Sequence, residues 1–190
     1  MDKKTARREQ IIDRLSVHLL EHGLEDSGLR SMAQAVGTSD RMLLYYFENK
    51  EELLGAVLTQ ISSGLADDLG RVFGTDPIAP HRLLVMLWET LKGEDLAPQL
   101  RLWLDLSSRA SRGDPLYGAV VAEISASWIA WMSGIVDVEK AQKRALATLI
   151  MGAMDGQSML FPQDLSSGDP AIELLAELLA KQTLASLCSD

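Results

Sequence analysis

The residues whose side chains are best suited to chemistry lie in the stretch "TSDRMLLYYF", residues 38–47. One arginine and two tyrosines stand there among apolar residues. The guanidinium of Arg41 can bind guanine through two hydrogen bonds. The hydroxyls of Tyr45 and Tyr46 can bind phosphate oxygens. This spacing favours contact with nucleic acid.

Catalytic and metal-binding chemistry has little support elsewhere. The chain has three histidines and one cysteine, Cys188, so no intrachain disulfide can form and we expect an inert thiol near the end. His18 and His22 are four residues apart, a spacing that can bind a metal, but no third ligand is evident. We predict an exposed helix face there, no catalytic residue, no metal and no cofactor.

The charge is distributed unevenly along the sequence. The 190 residues carry a formal net charge of -9, yet residues 1–50 hold eight basic and eight acidic side chains. The negative excess therefore lies after residue 50, where it would keep that part of the chain away from phosphate. The neutral amino-terminal quarter is the part suited to approach DNA.

The elements that position Arg41 follow from local signals. Ser27 is expected to cap a short helix, Gly37 to form a left-handed turn, and Ser39 to cap the next helix. Leu43 and Phe47 are four residues apart and should face a core. This pattern is typical of a helix-turn-helix, with Asp40, Arg41, Leu44 and Tyr45 pointing outward, and Thr38 and Met42 near the leading edge of the helix.

A second helix start follows directly. Asn49 and Glu52 have the spacing of a capping box, so a long helix should begin at Lys50, whose charge and free N–H groups suit a phosphate. Glu51 and Glu52 are expected to turn toward solvent. The basic residues at positions 3, 4, 7 and 8 fit either a solvated tail or a phosphate contact.

Helical periodicity between Gly, Pro and Asp breaks predicts about nine helices and no strand. Their expected ranges are 5–22, 28–36, 40–46, 50–73, 79–92, 97–111, 115–135, 138–160 and 170–187. We predict an all-α chain with a DNA-binding head at 1–50 and a helical bundle at 51–190. The longest apolar run, residues 83–88, is six residues, far below the roughly 18–20 of a membrane helix.

The bundle contains all four tryptophans and most methionines, which fit either simple core packing or an adaptable apolar cavity. Asp105 has arginines four residues away on both sides, and Glu89 has Lys92 three residues on, so surface ion pairs are expected. Small residues between 145 and 156 favour close helix approach, either across a two-fold interface or within one subunit.

The residues Ser27, Ala33, Gly37, Ser39, Leu43, Phe47, Lys50 and Leu53 resemble the TetR family of bacterial transcriptional repressors in type and order. The similarity covers about residues 5–58, with a looser match at 145–160. The family usually has a tyrosine at Leu44, a small residue at Arg41 and a hydroxyl residue at Met42.

The resemblance implies a cytoplasmic, non-enzymatic repressor that binds a palindromic operator as a homodimer and is released by a small, largely apolar inducer. Helices 138–160 and 170–187 would form the dimer interface. The inducer pocket would be lined by Trp88, Trp103, Trp128 and Trp131. The predicted DNA-binding residues are Ser27, Arg30, Thr38, Ser39, Asp40, Arg41, Met42, Tyr45, Tyr46 and Lys50. The alternative is an all-helical carrier of apolar ligands, or an enzyme, that does not bind DNA.

Overall fold

The structure, a computed structural model, describes residues 3–187 except for the side chains of Asp26 and of residues 183–187. Cys188 lies outside the described residues, so the expectation of an inert thiol stays untested. The helices of this part of the chain are α1 Lys3–His22, α2 Leu29–Ala35, α3 Asp40–Tyr46, α4 Lys50–Phe73, α5 Pro80–Leu91, α6 Ala97–Ser111, α7 Pro115–Ile135, α8 Lys143–Leu160 and α9 Asp169–Leu187.

The all-α prediction is confirmed, with nine α-helices and no strand among the described residues. One boundary was wrong, since α8 begins at Lys143 and not near 138. Val136 instead forms an isolated bridge with Ile78, and the N–H of Asp137 donates to the Ile78 carbonyl at 2.9 Å. This long-range pairing holds the chain extended after α7 and delays the next helix.

Contacts divide the chain into two compact units. The first contains residues up to 72 together with 98–125, and the second contains 73–97 together with the residues from 126 onward. Helix α7 therefore contributes its first half to one unit and its last half to the other. These units reflect packing, so the functional division at residue 50 stays a prediction.

The first unit contains a three-helix head. Apolar residues of α1, α2 and α3 alternate with exposed ones at helical spacing, and the inward set is almost fully buried. This core, completed by the first turns of α4, consists of Ile11, Leu15, Leu19, Leu24, Met32, Ala33, Val36, Leu43, Phe47, Leu53, Leu54, Val57 and Leu58. It holds the turn between α2 and α3 in a fixed position.

In the second unit, α5 packs along α9, and α8 packs against both. The carboxylate of Asp169, the first residue of α9, accepts hydrogen bonds from Trp88 Nε1 at 2.7 Å and from Lys92 Nζ at 2.9 Å. These two bonds lower the pKa of Asp169, with the Trp88 bond contributing most. A Cβ at Gly168 would lie 3.0 Å from the Trp88 ring, so only glycine fits there without displacement.

The predicted surface ion pairs are present in both units. Arg109 Nε lies 3.0 Å from Asp105, and Lys92 Nζ lies 2.8 Å from Glu89. Each pair is one helical turn apart and partly solvated, so each contributes little to stability. Asp105 and Glu89 are therefore accounted for without a ligand.

By length and composition alone, α7 could cross a membrane, because it has 21 residues and a mean hydropathy of 1.2. Core helices of water-soluble proteins pass the same test. Tyr117 and Val120 are buried within the first unit, Met132 and Ile135 within the second. Glu123 is exposed midway along the helix.

Candidate nucleic-acid interface

The turn between α2 and α3 is built as the sequence predicts at two of its three positions. Gly37 has φ +68°, a conformation that side-chain-bearing residues rarely adopt. Ser39 caps α3, since its hydroxyl accepts a hydrogen bond from the Met42 N–H at 3.3 Å. The Gly37 conformation and the Ser39 cap together fix the angle at which α3 leaves the turn.

The prediction that Ser27 caps α2 is wrong. Gly28 occupies the capping position and offers no side chain. The Ser27 hydroxyl is buried and donates at 2.6 Å to the carbonyl of Leu24, because a 3-10 turn at Leu24–Asp26 precedes α2. This turn has no sequence signal that distinguishes it from an ordinary loop.

An arginine on α1, which the sequence analysis did not predict as a structural residue, also binds the end of α2. The guanidinium of Arg14 donates to the carbonyls of Val36 at 2.9 Å and Ala35 at 3.1 Å. These carbonyls lie at the end of α2, where the helix itself supplies no donor. Arg14 therefore ties the start of the turn to α1.

Helix α3 separates its core residues from its exposed ones. Leu43 is 0% exposed and Phe47, the residue after the helix, is 2% exposed. Asp40, Arg41 and Leu44 are exposed, as are Met42 and Tyr45. The predicted inward and outward faces of α3 are thus confirmed.

The start of α4 is capped by Asn49 as predicted, but the Glu52 carboxylate reaches back to the N–H of Glu48 and not to that of Asn49, so the reciprocal half of the capping box is shifted by one residue. Asn49 Oδ1 accepts from the Glu52 N–H at 2.7 Å, and a Glu52 carboxylate oxygen accepts from the Glu48 N–H at 2.6 Å. The expectation that Glu52 turns to solvent is therefore wrong, whereas Glu51 is exposed. The Glu52 N–H is occupied within the chain, which leaves the earlier N–H groups of α4 for a phosphate.

Arg8 connects α1 to this cap. Its guanidinium donates to Glu52 Oε1 at 2.7 Å and lies 4.7 Å from the centre of the Phe47 ring. Partial burial raises the pKa of Glu52, but the bond from Glu48 N–H and the Arg8 ion pair together lower it further, leaving it below its usual value. Arg8 is therefore engaged within the head.

Lys4 on α1 lies beside α3. Its ammonium is 4.9 Å from the centre of the Tyr45 ring, and Tyr45 packs edge-on against Tyr46 at 5.0 Å. Lys3 and Arg7 are exposed, and Arg7 donates to Gln10 one turn away. The basic residues thus stand on a helix, with Lys4 beside the exposed face of α3.

The predicted DNA-binding residues lie within one compact unit. Arg30, Ser39 and Asp40 are exposed in addition to the outer residues of α3, whereas Ser27 is buried. Half-exposed positions are held by Thr38, Tyr46 and Lys50. Apart from Ser27, every predicted side chain is thus open to solvent to some degree.

The four tryptophans fall into different surroundings. Trp88 is 1% exposed and bound to Asp169, while Trp103 is half-buried and belongs to the first unit. Trp128 packs edge-on against Trp131 at 5.6 Å, and Trp131 packs against Phe73 at 5.7 Å. The second unit therefore gathers Trp128 and Trp131 into one aromatic cluster.

Helices α8 and α9 leave large apolar side chains in solvent. On α9, Leu174 is 59% exposed and Leu178, one turn later, is 51% exposed. On α8, Leu149, Met159 and Leu160 are exposed as well. An exposed apolar stripe of this kind is typical of a surface that binds another protein surface.

The two histidines of α1 form a stacked pair. Their ring centres are 4.5 Å apart, and His22 Nδ1 lies 3.0 Å from the His18 carbonyl oxygen. Within the described residues, no three His, Cys, Asp or Glu side chains are grouped so as to hold a metal ion.

Comparison with known proteins identifies the amino-terminal segment. Residues 11–57 match the family described as bacterial regulatory proteins, tetR family. No curated protein matches the sequence. The matched segment runs from the middle of α1 into α4, and includes the turn and the exposed face of α3 described above.

The fold is similar to that of several solved proteins, among them transcriptional regulators. A TetR-family regulator from Cytophaga hutchinsonii has a TM-score of 0.73 at 16% identity, covering 95% of this chain and 96% of its own. FadR from Bacillus subtilis, in complex with stearoyl-CoA, has a TM-score of 0.65 at 18% identity, with coverages of 88% and 97%. EbrR, a multidrug binding protein complexed with proflavin, has a TM-score of 0.65 at 23% identity, with coverages of 92% and 98%. The segment match and the fold together confirm the resemblance to the TetR family.

Proposed function

We propose that this protein, with its TetR-type amino-terminal segment and fold, is a ligand-responsive transcriptional regulator that binds DNA as a homodimer and represses transcription. The observation that carries the proposal is the exposed face of α3, where Arg41 and Tyr45 stand outside the core within the segment that matches the family. A duplex is a natural partner for such a face because a short helix fits the major groove.

In this function α3 enters the groove and Arg41 binds guanine with two hydrogen bonds. Thr38, Ser39 and Asp40 lie at the amino-terminal end of α3, where they contact base edges or the adjoining DNA backbone. Arg30 on α2 meets the neighbouring phosphates. Ser27 acts from inside the head, where its bond to Leu24 shapes the chain before α2.

Phosphates are held on both sides of α3. Tyr45 and Tyr46 supply hydroxyls, and Lys50 supplies a charge beside the first N–H groups of α4. Lys4, 4.9 Å above the Tyr45 ring, adds a second cation near the same surface. The head can bind phosphates although the chain has a net charge of -9, because the excess of acidic residues follows residue 50.

Dimerisation is proposed through α8 and α9. Leu174 and Leu178 form an apolar stripe on α9, and burying them against a second copy removes their surface from water. A two-fold dimer presents two heads to half-sites about 34–36 Å apart, which makes the operator palindromic.

The regulator responds to a small, largely apolar molecule bound in the bundle. Trp128 and Trp131, which pack against each other within the second unit, supply aromatic surface suited to such a ligand. FadR and EbrR, which share the fold, bind stearoyl-CoA and proflavin, respectively. The ligand shifts the population of dimers away from the DNA-binding conformation.

We further propose that the protein works in the cytoplasm without enzymatic activity, metal or cofactor. The rival function is a carrier of apolar ligands, which the aromatic cluster of Trp128 and Trp131 would also suit. A carrier would bind an apolar probe such as anilinonaphthalene sulfonate and would not discriminate among DNA sequences.

The test compares two alanine variants on DNA selected from a random pool by the wild-type protein. Arg41→Ala should lose about 1–3 kcal/mol of discrimination at a guanine position in each half-site. Lys50→Ala should weaken binding to all sequences alike and reduce the salt slope by about one per subunit. Fluorescence anisotropy across a salt series separates these two outcomes.

Arg71→Ala is the matched control, because Arg71 is exposed on the same helix as Lys50 but about 31 Å further along, at 1.5 Å per residue. It should leave both quantities unchanged. Equal affinity for the selected palindrome and for random DNA would contradict the proposed function and favour the carrier.

A further inference from the structure

The outward face of α3 is bordered by two apolar side chains that the head does not use. Met42 is 41% exposed and Leu44 is 46% exposed, although the leucine between them, Leu43, is fully buried. Water surrounds much of both side chains in the free protein. Such exposure on a short, fixed helix points to a partner surface with apolar groups.

Helical geometry orders these side chains around α3. Each residue advances by about 100°, so Leu44 lies about 60° from Arg41, and Met42 lies about 60° from Tyr45. Going around the exposed face of α3, the side chains therefore follow one another in the order Leu44, Arg41, Tyr45, Met42, with an apolar side chain at each border. Around the helix, Leu44 is therefore the neighbour of Arg41, and Met42 is the neighbour of Tyr45.

The major groove offers one apolar group, the C5-methyl of thymine, and apolar side chains contact it. We propose, on the basis of the function above, that Leu44 and Met42 select thymine in the operator half-site. Leu44 contacts the thymine methyl in the base pair beside the guanine bound by Arg41. Met42 contacts a second thymine at the other border of the helix.

The charges of the head agree with this occupant. Arg41 lies within the face and Lys4 is 4.9 Å above the Tyr45 ring, so the apolar side chains are accompanied by cations. An apolar protein surface would leave these cations unpaired and desolvated, which is unfavourable. The major groove supplies methyl groups and phosphate charge together.

The experiment uses duplexes selected by the wild-type protein, in which each thymine of the half-site is replaced singly by deoxyuridine. This substitution removes the methyl group and keeps the base pairing. We expect two sensitive positions, each losing about fourfold in affinity, the factor that corresponds to ~0.8 kcal/mol for one buried methyl group. Replacing the same position in both half-sites should cost about 16-fold, because the two losses multiply.

The protein variants assign each methyl to its side chain. With Leu44→Ala, deoxyuridine beside the guanine should no longer reduce affinity, and with Met42→Ala the second position should become insensitive. Alanine favours the helix and both positions are exposed, so circular dichroism should show unchanged folding. Val17→Ala on α1, another exposed apolar residue, should retain both sensitivities.

Affinity unchanged within twofold at every deoxyuridine position would overturn the inference while leaving the proposed function intact. Equal sensitivity in wild type, Leu44→Ala and Met42→Ala would also overturn it, since the methyl effect would then come from DNA shape. A wild-type protein that selects no sequence from the pool would remove both the inference and the proposed function.

Discussion

Removing the carboxylate of Glu52 tests how the start of α4 is held to α1. The carboxylate accepts from the Glu48 N–H at 2.6 Å and from Arg8 at 2.7 Å. Both side chains of the ion pair are 36% exposed, so solvent screening limits it to about 0.5 kcal/mol. The bond from the Glu48 N–H, which closes the cap just before α4, should contribute about 1 kcal/mol, as a typical intramolecular hydrogen bond does. The cap, more than the ion pair, should therefore set the effect.

Glu52→Ala should lower the free energy of unfolding by about 1.5 kcal/mol, the sum of both contributions. Arg8→Ala should lower it by about 1 kcal/mol, because it also loses the contact with the Phe47 ring. In a double-mutant cycle the coupling between the two sites should be about 0.5 kcal/mol.

Urea unfolding followed by circular dichroism, at one fixed protein concentration, measures these quantities. Glu51→Gln is the control, since Glu51 is an exposed neighbour outside the cap and should change stability by less than about 0.5 kcal/mol. A coupling near zero would contradict the expected ~0.5 kcal/mol and show that the Arg8–Glu52 pair contributes nothing measurable to stability. A coupling above about 2 kcal/mol would refute the assumption of solvent screening.

The pH dependence has a defined sign. The pKa of Glu52 is lower in the folded protein than in the unfolded chain, where it is about 4.3. Its ionised form therefore stabilises the fold above that pH, and the stabilisation disappears as pH falls through the lowered pKa. The stability difference between wild type and Glu52→Gln should be constant near neutrality and shrink in acid. A difference that grows in acid would contradict this account.

Three further substitutions test the fold and the proposed assembly. Gly37→Ala should cost about 1–2 kcal/mol, measured by urea unfolding, because φ is +68° and no atom lies within 4 Å of the added Cβ to add a clash. Leu43→Ala should cost about 2–5 kcal/mol in the same assay, whereas Leu44→Ala, one residue further and exposed, should stay within about 0.5 kcal/mol. A combined Leu174→Glu and Leu178→Glu variant should sediment as a monomer where the wild type sediments as a dimer; an unchanged sedimentation coefficient would exclude this face from the interface.

Features encoded over a few neighbouring residues could be predicted from the sequence. The glycine turn at Gly37, the cap at Ser39 and the cap at Asn49 are short-range patterns with one favourable geometry each. The same holds for the inward position of Leu43, since helical spacing alone determines it. Local signals therefore gave the head and most helix boundaries.

Contacts between distant residues could not be predicted in this way. Arg8 and Glu52 are 44 residues apart, and Trp88 and Asp169 are 81 apart, so neither pair leaves a periodic signal. The late start of α8 has the same cause, because the bridge between Ile78 and Val136 depends on tertiary packing. The error at Ser27 arose where a 3-10 turn competes with a helix cap, two uses of one serine hydroxyl.

Helix α3 uses different residues for core packing and for its exposed face, and this separation affects which substitutions the protein tolerates. Leu43 and Phe47 anchor the helix, while Arg41, Leu44 and Tyr45 contribute little to the core. Mutations at the outer positions can thus accumulate without unfolding the head, and each one changes what the helix meets. Under the proposed function, new target preferences are accessible by single substitutions on an unchanged scaffold, which makes this helix a suitable place for laboratory evolution of altered DNA specificity.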